Sequence, residues 1–441
     1  MTEWVKRLQG YVKIRVWGFA PQRFINLCSN KGILLWNIEK QEDVYTMCIG
    51  LRSFYELRPI ARKTKVRVVI SERYGLPFFV PGMLRRKAFL AGLFLAVAFW
   101  LISSLFVWDI QVTGNYPGRA RNIEETRADI RKVLSLVGGK HRLSLHAIYG
   151  DFQGEKVDRD EIEPRHFESW MSWAKEQGLR LDFNSTSFSH PKSGDLTLAN
   201  PDKGIRDFWI EHTRRCRWIS EEMGKSQGDP CIMNLWIHDG SKEVPASRLR
   251  YRQLLERSLD EIFSIPYEHM KDCIEAKLFG IGLESYTVGS YDFYLGYGVK
   301  NQKMVTLDTG HFHLTESIAD KLSSLLLFTP EVMLHVSRPV RWDSDHVVIL
   351  NDDVQDLARE IVRCDALDRV HIGLDYFDAT INRIGAYVIG SRATQKAFML
   401  ALLEPIALLR QYEDEGKYFQ RLALQEEAKS LPWGAVWDMY C

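Results

Sequence analysis

The chain has 441 residues, 46% of them hydrophobic and 26% charged, with 58 Lys+Arg against 57 Asp+Glu and a net charge of +1. These values exclude a disordered chain, a collagen-like chain and a disulfide-stapled miniprotein, and leave room for two or three cored domains. The mean conceals a division: residues 1–87 carry 17 basic and 6 acidic side chains, a net of +11, so residues 88–441 carry 41 and 51, a net of −10. All twelve histidines follow residue 140.

In the basic segment two stretches alternate strictly. Val12, Ile14 and Val16 are set against Lys13 and Arg15, and Val66, Val68 and Ile70 against Lys65 and Arg67, which predicts strands with one wet face. Apolar runs at 33–38 and 44–50, with helical patterns at 21–30 and 52–62, complete a β-α-β-β-α-β order, a small ferredoxin-like α+β module over 1–87. Its basic residues suit anionic lipid or nucleic acid, or simply a solvated face; no nucleic-acid partner is expected. No His, metal-type spacing or nucleophile constellation occurs there.

Residues 88–108 (AFLAGLFLAVAFWLISSLFVW) are uncharged, with Arg85, Arg86 and Lys87 before them and Trp108 at their end. At a helical rise of ~1.5 Å per residue such a run reaches roughly 30 Å, which predicts one transmembrane helix. The positive-inside bias then keeps the N-terminus in the cytoplasm and makes the chain a single-pass membrane protein. Residues 109–115 form the junction to the remainder.

From residue 116 onward strands alternate with helices. Strands are expected at 142–149, 179–184, 232–237, 275–280, 304–309, 332–337 and 370–376. Helical patterns lie at 124–136, 166–177, 206–223, 247–263, 316–327, 353–362 and 379–410. Short apolar strands separated by helices indicate a parallel sheet, and repetition over some 300 residues favours a TIM-type barrel with one strand too few. Carboxylates and imidazoles sit on these strands: Glu275, Asp308 with His311, His335 and Asp375, while Asp343 and Asp345 lie in the loop after His335. Barrel sites form at strand C-termini, so residues from four strands can converge. Seven N/O ligands exceed one tetrahedral zinc and suffice for two divalent ions, with Mn²⁺, Mg²⁺ or Co²⁺ suited to such oxygen-rich coordination. Each alone has a bland alternative as a loop acid or helix cap. Lys277, two residues after Glu275, points to the same side of a strand; it can polarise a substrate oxygen or form a salt bridge.

Two resemblances follow from longer motifs. GYVKIRVWGFAPQRFINLCSNKGILLWNI, LRPIARKTKVRVVISERYGLPF and WDIQVTGN resemble the N-terminal part of the YqfD-type sporulation membrane proteins. RLSLHAIY, LDFNSTSFSHP, NLWIHDG, EAKLFGIGLESYTVGS, LDTGHFH, MLHVSRPVRWDSDHVV and HIGLDYFDATINRI, over roughly 113–441, closely resemble L-rhamnose isomerase. The second resemblance implies a (β/α)8 barrel, here lacking its first strand, and a cytoplasmic homotetramer. It implies a two-metal aldose–ketose isomerase converting L-rhamnose, and related aldoses, to L-rhamnulose. The metal is usually Mn²⁺, with Zn²⁺, Co²⁺ or Mg²⁺ as substitutes. By motif, Glu275, Asp308, His335 and Asp375 would hold a structural metal and His311, Asp343 and Asp345 a catalytic one. Lys277 would assist at the substrate carbonyl oxygen, His146 would sit at the sugar's ring end, and Trp236 would form pocket wall. Five thiols after residue 108 without CxxC spacing fit a reducing compartment. The alternative is a non-catalytic sporulation membrane protein with a vestigial isomerase-like domain, a chimera joined at IQVTGN.

Overall fold

The computed structural model describes residues 6, 8–78, 119–277, 285–340, 345–376 and 381–440. The chain divides into two compact units, Met1–Ile110 and Gln111–Cys441.

The first unit follows the predicted order. Strand β1 (Tyr11–Gly18) leads through helix α1 (Pro21–Asn30) to β2 (Leu35–Gln41) and β3 (Val44–Gly50), then through α2 (Leu57–Thr64) to β4 (Val66–Tyr74). The sheet is antiparallel in the order β2-β3-β1-β4. Val12, Ile14 and Val16 on alternate positions of β1 are buried with Phe24, Cys28 and Ile60 from the helices, as the period-two pattern requires.

The second unit is α/β. Its seven strands are β5 (Arg142–His146), β6 (Arg180–Asn184), β7 (Cys231–Trp236), β8 (Met270–Glu275), β9 (Met304–Asp308), β10 (Val332–Val336) and β11 (Val370–Leu374). They pair in parallel and in sequence order, a TIM-like, nearly closed barrel. Helices α3 (Ile123–Leu134), α4 (Glu168–Glu176), α5 (Lys203–Gln227), α6 (Arg248–Ile262), α7 (Tyr291–Asn301), α8 (Ile318–Leu325), α9 (Asp352–Arg363) and α10 (Arg383–Leu402) belong to the same unit. Asn122, Asp202, Ser317, Asn351 and Asn382 cap five of them by accepting backbone N–H groups.

Three expectations are corrected. The strand predicted at 275–280 lies earlier, at Met270–Glu275, where Met270, Cys273 and Ile274 enter the core. Glu275 therefore ends its strand and Lys277 lies beyond it. The helix predicted at 379–410 is two helices, α10 and α11 (Ile406–Asp414), since Pro405 supplies no N–H to continue the ladder. The single-pass membrane topology is not retained: among the described residues no helix is long and apolar enough to cross a membrane. Helix α5 has the length but carries charges throughout, and the run at 88–108 lies outside the described residues.

Helix α5 is anchored at its centre by a buried cation. Arg217, 1% exposed, donates to both carboxylate oxygens of Asp272 on β8 at 2.7 and 3.0 Å, and to the Ile262 carbonyl at 2.6 Å. Lys303 also reaches Asp272, at 2.7 Å. Further along α5, a Cβ at Gly224 would stand 1.7 Å from the His269 carbonyl oxygen, so only glycine permits this approach to the start of β8. Removing Arg217 leaves Asp272 buried with one partner fewer. Arg217→Ala is expected to lower unfolding free energy by about 3 kcal/mol, read by urea denaturation; a loss below ~1 kcal/mol would show the pair is not an anchor.

Candidate metal centre

Parallel strands deliver their C-termini to one end of the barrel, and four successive strands end there in potential ligands. Glu275 closes β8 and Asp308 closes β9; His335 is the penultimate residue of β10, and Asp375 follows β11 directly. One ligand atom from each of these four residues lies within 4.8 Å of the others. Asp308 also belongs to a second such group with His311 and Asp345. The predicted residues thus converge, except Asp343, which lies outside the described residues.

The centre is dry. Glu275, Asp308 and His335 are 2%, 1% and 5% exposed. His335 Nδ1 lies 3.1 Å from Glu275 Oε2 and 3.2 Å from Asp375 Oδ2, and His311 Nδ1 lies 3.3 Å from Glu275 Oε1. Asp308 accepts the Gly310 N–H on Oδ1 at 2.6 Å, which turns Oδ2 toward both histidines at 4.0 Å. Glu275 Oε1, Asp308 Oδ2 and His335 Nδ1 are buried without a hydrogen-bond partner. Buried lone pairs aimed at one another cost free energy unless a cation or protons join them. The donor set, carboxylate oxygens plus imidazole nitrogen, suits a borderline or hard divalent ion.

The pKa values respond to this crowding. Burial pushes the Asp308 carboxyl well above its ordinary range, reinforced by the charges of Glu275 and Asp375. For His335 burial acts downward, but the Glu275 and Asp375 carboxylates outweigh it and raise the imidazole well above its usual value. Glu275 moves the other way: burial opposes ionisation, yet His335 and His311 hold it well below the usual carboxylate range.

Supports are visible around the ligands. Asn234 on β7 donates its amide to Glu275, while its carbonyl accepts Thr306 Oγ1 at 2.8 Å, which fixes the amide's orientation. Asn234 and Thr306 were not singled out by sequence; the available signal was a buried polar residue facing inward on each of two core strands. Asp345 takes φ +39°, a conformation that Asp adopts more readily than most residues. Gly373 lies beside His335, where a Cβ would meet the ring at 3.1 Å.

The remaining predicted residues form an aromatic wall. Lys277 Nζ stands 4.8 Å from the Trp236 ring centroid, Trp236 meets Phe188 edge-on at 5.9 Å, and Phe188 lies 6.4 Å from His146. His146 is near Thr186 Oγ1 at 3.3 Å, and its desolvation lowers its pKa below the ordinary histidine value. His146, His335 and Asp375 line one cavity. His371, at the opposite end of β11, pairs with Glu331 at 2.6 Å and belongs to a separate cluster with Lys271.

Fold and site define a parallel α/β barrel with a candidate divalent-metal centre at its strand C-termini. Residues 99–441 match the L-rhamnose isomerase family, and residues 6–135 match the YqfD family of stage IV sporulation proteins. An L-rhamnose isomerase of Bacteroides thetaiotaomicron is 71% identical over 332 residues, covering 75% of this chain and 79% of that one. One from Rhodopirellula baltica is 55% identical over 335 residues, covering 75% and 78%. Among solved structures, a D-allulose 3-epimerase from Methylomonas sp. is 13% identical with a TM-score of 0.42, covering 64% of this chain and 92% of that one. The chain belongs to the L-rhamnose isomerase family, whose members are aldose–ketose isomerases. The sporulation reading has only the YqfD match behind it.

A cation must displace protons to enter this site. Asp308 and His335 are both shifted toward their protonated forms, and a metal ligand must be deprotonated. Mn²⁺ binding is therefore expected to release protons and to tighten as pH rises from about 5 to 8. Titration calorimetry in buffers of different ionisation enthalpy measures the release; a heat independent of buffer would contradict it.

Proposed function

We propose that the barrel unit interconverts L-rhamnose and L-rhamnulose, with Mn²⁺ as its preferred ion. The convergence of Glu275, Asp308, His335 and Asp375 at four successive strand ends carries this reading, and the named relatives supply the substrate. Glu275, Asp308, His335 and Asp375 would hold a structural ion. Asp308, His311 and Asp345, with Asp343 by motif, would hold a catalytic one. A bound divalent pair supplies Lewis-acid stabilisation of the charge that develops on the two sugar oxygens.

The reaction moves a hydrogen from C2 to C1 and a proton from O2 to O1, so no electrons leave the sugar. Lys277, whose ammonium is held over Trp236, would face the substrate carbonyl oxygen and favour the form in which negative charge gathers there. Trp236 and Phe188 give an apolar wall that restricts water beside the reacting carbons. His146, kept neutral by desolvation, would accept or return the proton exchanged at the ring oxygen during ring opening. Asn234 acts indirectly by holding the Glu275 carboxylate in place.

Incubation of the full chain with L-rhamnose and Mn²⁺ is expected to give L-rhamnulose, measured by a ketose assay. Asp308→Asn keeps the shape of the side chain but removes the anion shared by the two ligand groups, and is expected to lower turnover by at least about a hundredfold. Absence of ketose from folded, Mn²⁺-loaded protein, or an Asp308→Asn variant as active as the parent, would overturn the reading.

A further inference from the structure

Three neighbouring strands each bring one member of the wall beside the metal centre: Phe188 follows β6, Trp236 closes β7 and Lys277 follows β8. Their ring contacts are weak, and the loops that carry them are tied together further along, at residues 238–241. Toward the loop after β6, His238 Nε2 lies 2.8 Å from the Gly194 carbonyl oxygen, and the Gly240 N–H donates to the Asp195 carbonyl at 3.1 Å. Toward the loop after β8, the Val288 N–H donates to the Asp239 carbonyl at 3.0 Å, and Gly240 and Ser241 pair antiparallel with Thr287 and Tyr286. The Lys277 N–H in turn donates to the Gly289 carbonyl at 3.1 Å, which continues the tie to the third member of the wall.

At the middle of this tie stands Asp239, wholly buried. Its Oδ1 accepts both the hydroxyl and the backbone N–H of Thr197, the latter at 2.8 Å, and its Oδ2 accepts the Ala199 N–H at 2.7 Å. Thr197 and Ala199 are themselves fully buried, so their N–H groups need a partner within the protein. All three donors are neutral, yet together they require a carboxylate. An amide offers one acceptor oxygen and turns a donor toward the other position. Burial raises the Asp239 carboxyl pKa against the opposing pull of these donors, so the anion is held at a cost, and what it secures is the loop bearing Phe188. Among the described residues Asp239 bonds none of the metal ligands.

We propose that Asp239 is a positioning residue for the sugar pocket: its carboxylate fixes the loop that carries Phe188 against Trp236, and so sets where the apolar wall meets the substrate. It acts through Phe188 and touches neither the sugar nor the ions. The branch to Lys277 runs through the Asp239 backbone carbonyl and does not depend on the side chain. Loss of the carboxylate therefore loosens the wall while leaving Lys277 and the metal centre in place. The proposal rests on the isomerase reading for its substrate, and on the hydrogen bonds alone for the fixing of the loop.

The test compares Asp239→Asn with the parent, both as the full Mn²⁺-loaded chain with L-rhamnose. KM is expected to rise at least about fivefold while kcat changes less than about twofold. A purely structural role would do the opposite, lowering kcat with the folded fraction at unchanged KM, and that result would overturn the proposal. Thr197→Val removes the hydroxyl bond alone and should raise KM by a smaller factor, so it decides the matter if Asp239→Asn does not fold; an unchanged KM there would overturn the proposal too. In a Phe188→Ala background, Asp239→Asn should add less than about twofold to KM, because the group it positions is gone, and full additivity would contradict this. Amide hydrogen exchange separates the proposal from the isomerase reading: residues 185–199 should exchange at least about tenfold faster in Asp239→Asn, with β9 and β10 unchanged. Unchanged exchange overturns the fixing role whatever the turnover. A folded parent chain that forms no ketose, with the faster exchange still seen in the variant, overturns the isomerase reading and leaves the loop tie standing.

Discussion

Glu275 and Asp308, two carboxylates almost wholly removed from water, face each other across His335 and His311. Two such buried anions cost several kcal/mol each unless cations compensate them. The protein supplies imidazoles on one side and leaves buried oxygen atoms aimed inward on the other. The rest of the site serves this constraint. Parallel strands bring the groups to one end, Asn234 and the Gly310 N–H fix the carboxylate rotamers, and Gly373 keeps the space beside His335 clear. A charge arrangement this crowded is unfavourable as it stands and becomes favourable with a divalent ion among the ligands.

Much of the fold was legible because short periodic patterns are local. The period-two alternation of Val12, Ile14 and Val16 placed β1, and the strand-helix repeat placed the barrel elements in order. The ligands were legible for a different reason: Asp308, His335 and Asp375 each end a short apolar run, which in a parallel barrel is the functional end. Glu275 was read at the wrong end of its strand. Its neighbours AKLF look as strand-like as MKDCI, and local pattern cannot say which half pairs with β7 and β9. The pairing partners Cys231, Asn234 and Met304 decide it, and they lie far away in sequence.

Other features depend on contacts that no local pattern carries. Asn234 and Thr306 read as ordinary strand residues until the fold sets them beside Glu275. The anchoring of α5 by Arg217 spans 55 residues to Asp272. The apolar run at 88–108 led to a membrane topology that the described helices do not share, and the run itself lies outside the described residues. The packing of helix α3 against α10 likewise joins segments about 260 residues apart in sequence.

The central claim is that the buried carboxylate–imidazole cluster is a divalent-metal centre. Crystals grown with Mn²⁺ and measured near the manganese absorption edge test it most directly. The account predicts an anomalous peak bounded by Glu275, Asp308, His335 and Asp375, at about 2.0–2.3 Å from their ligand atoms. Ordered side chains with no peak among them, or manganese bound only elsewhere on the chain, would contradict it.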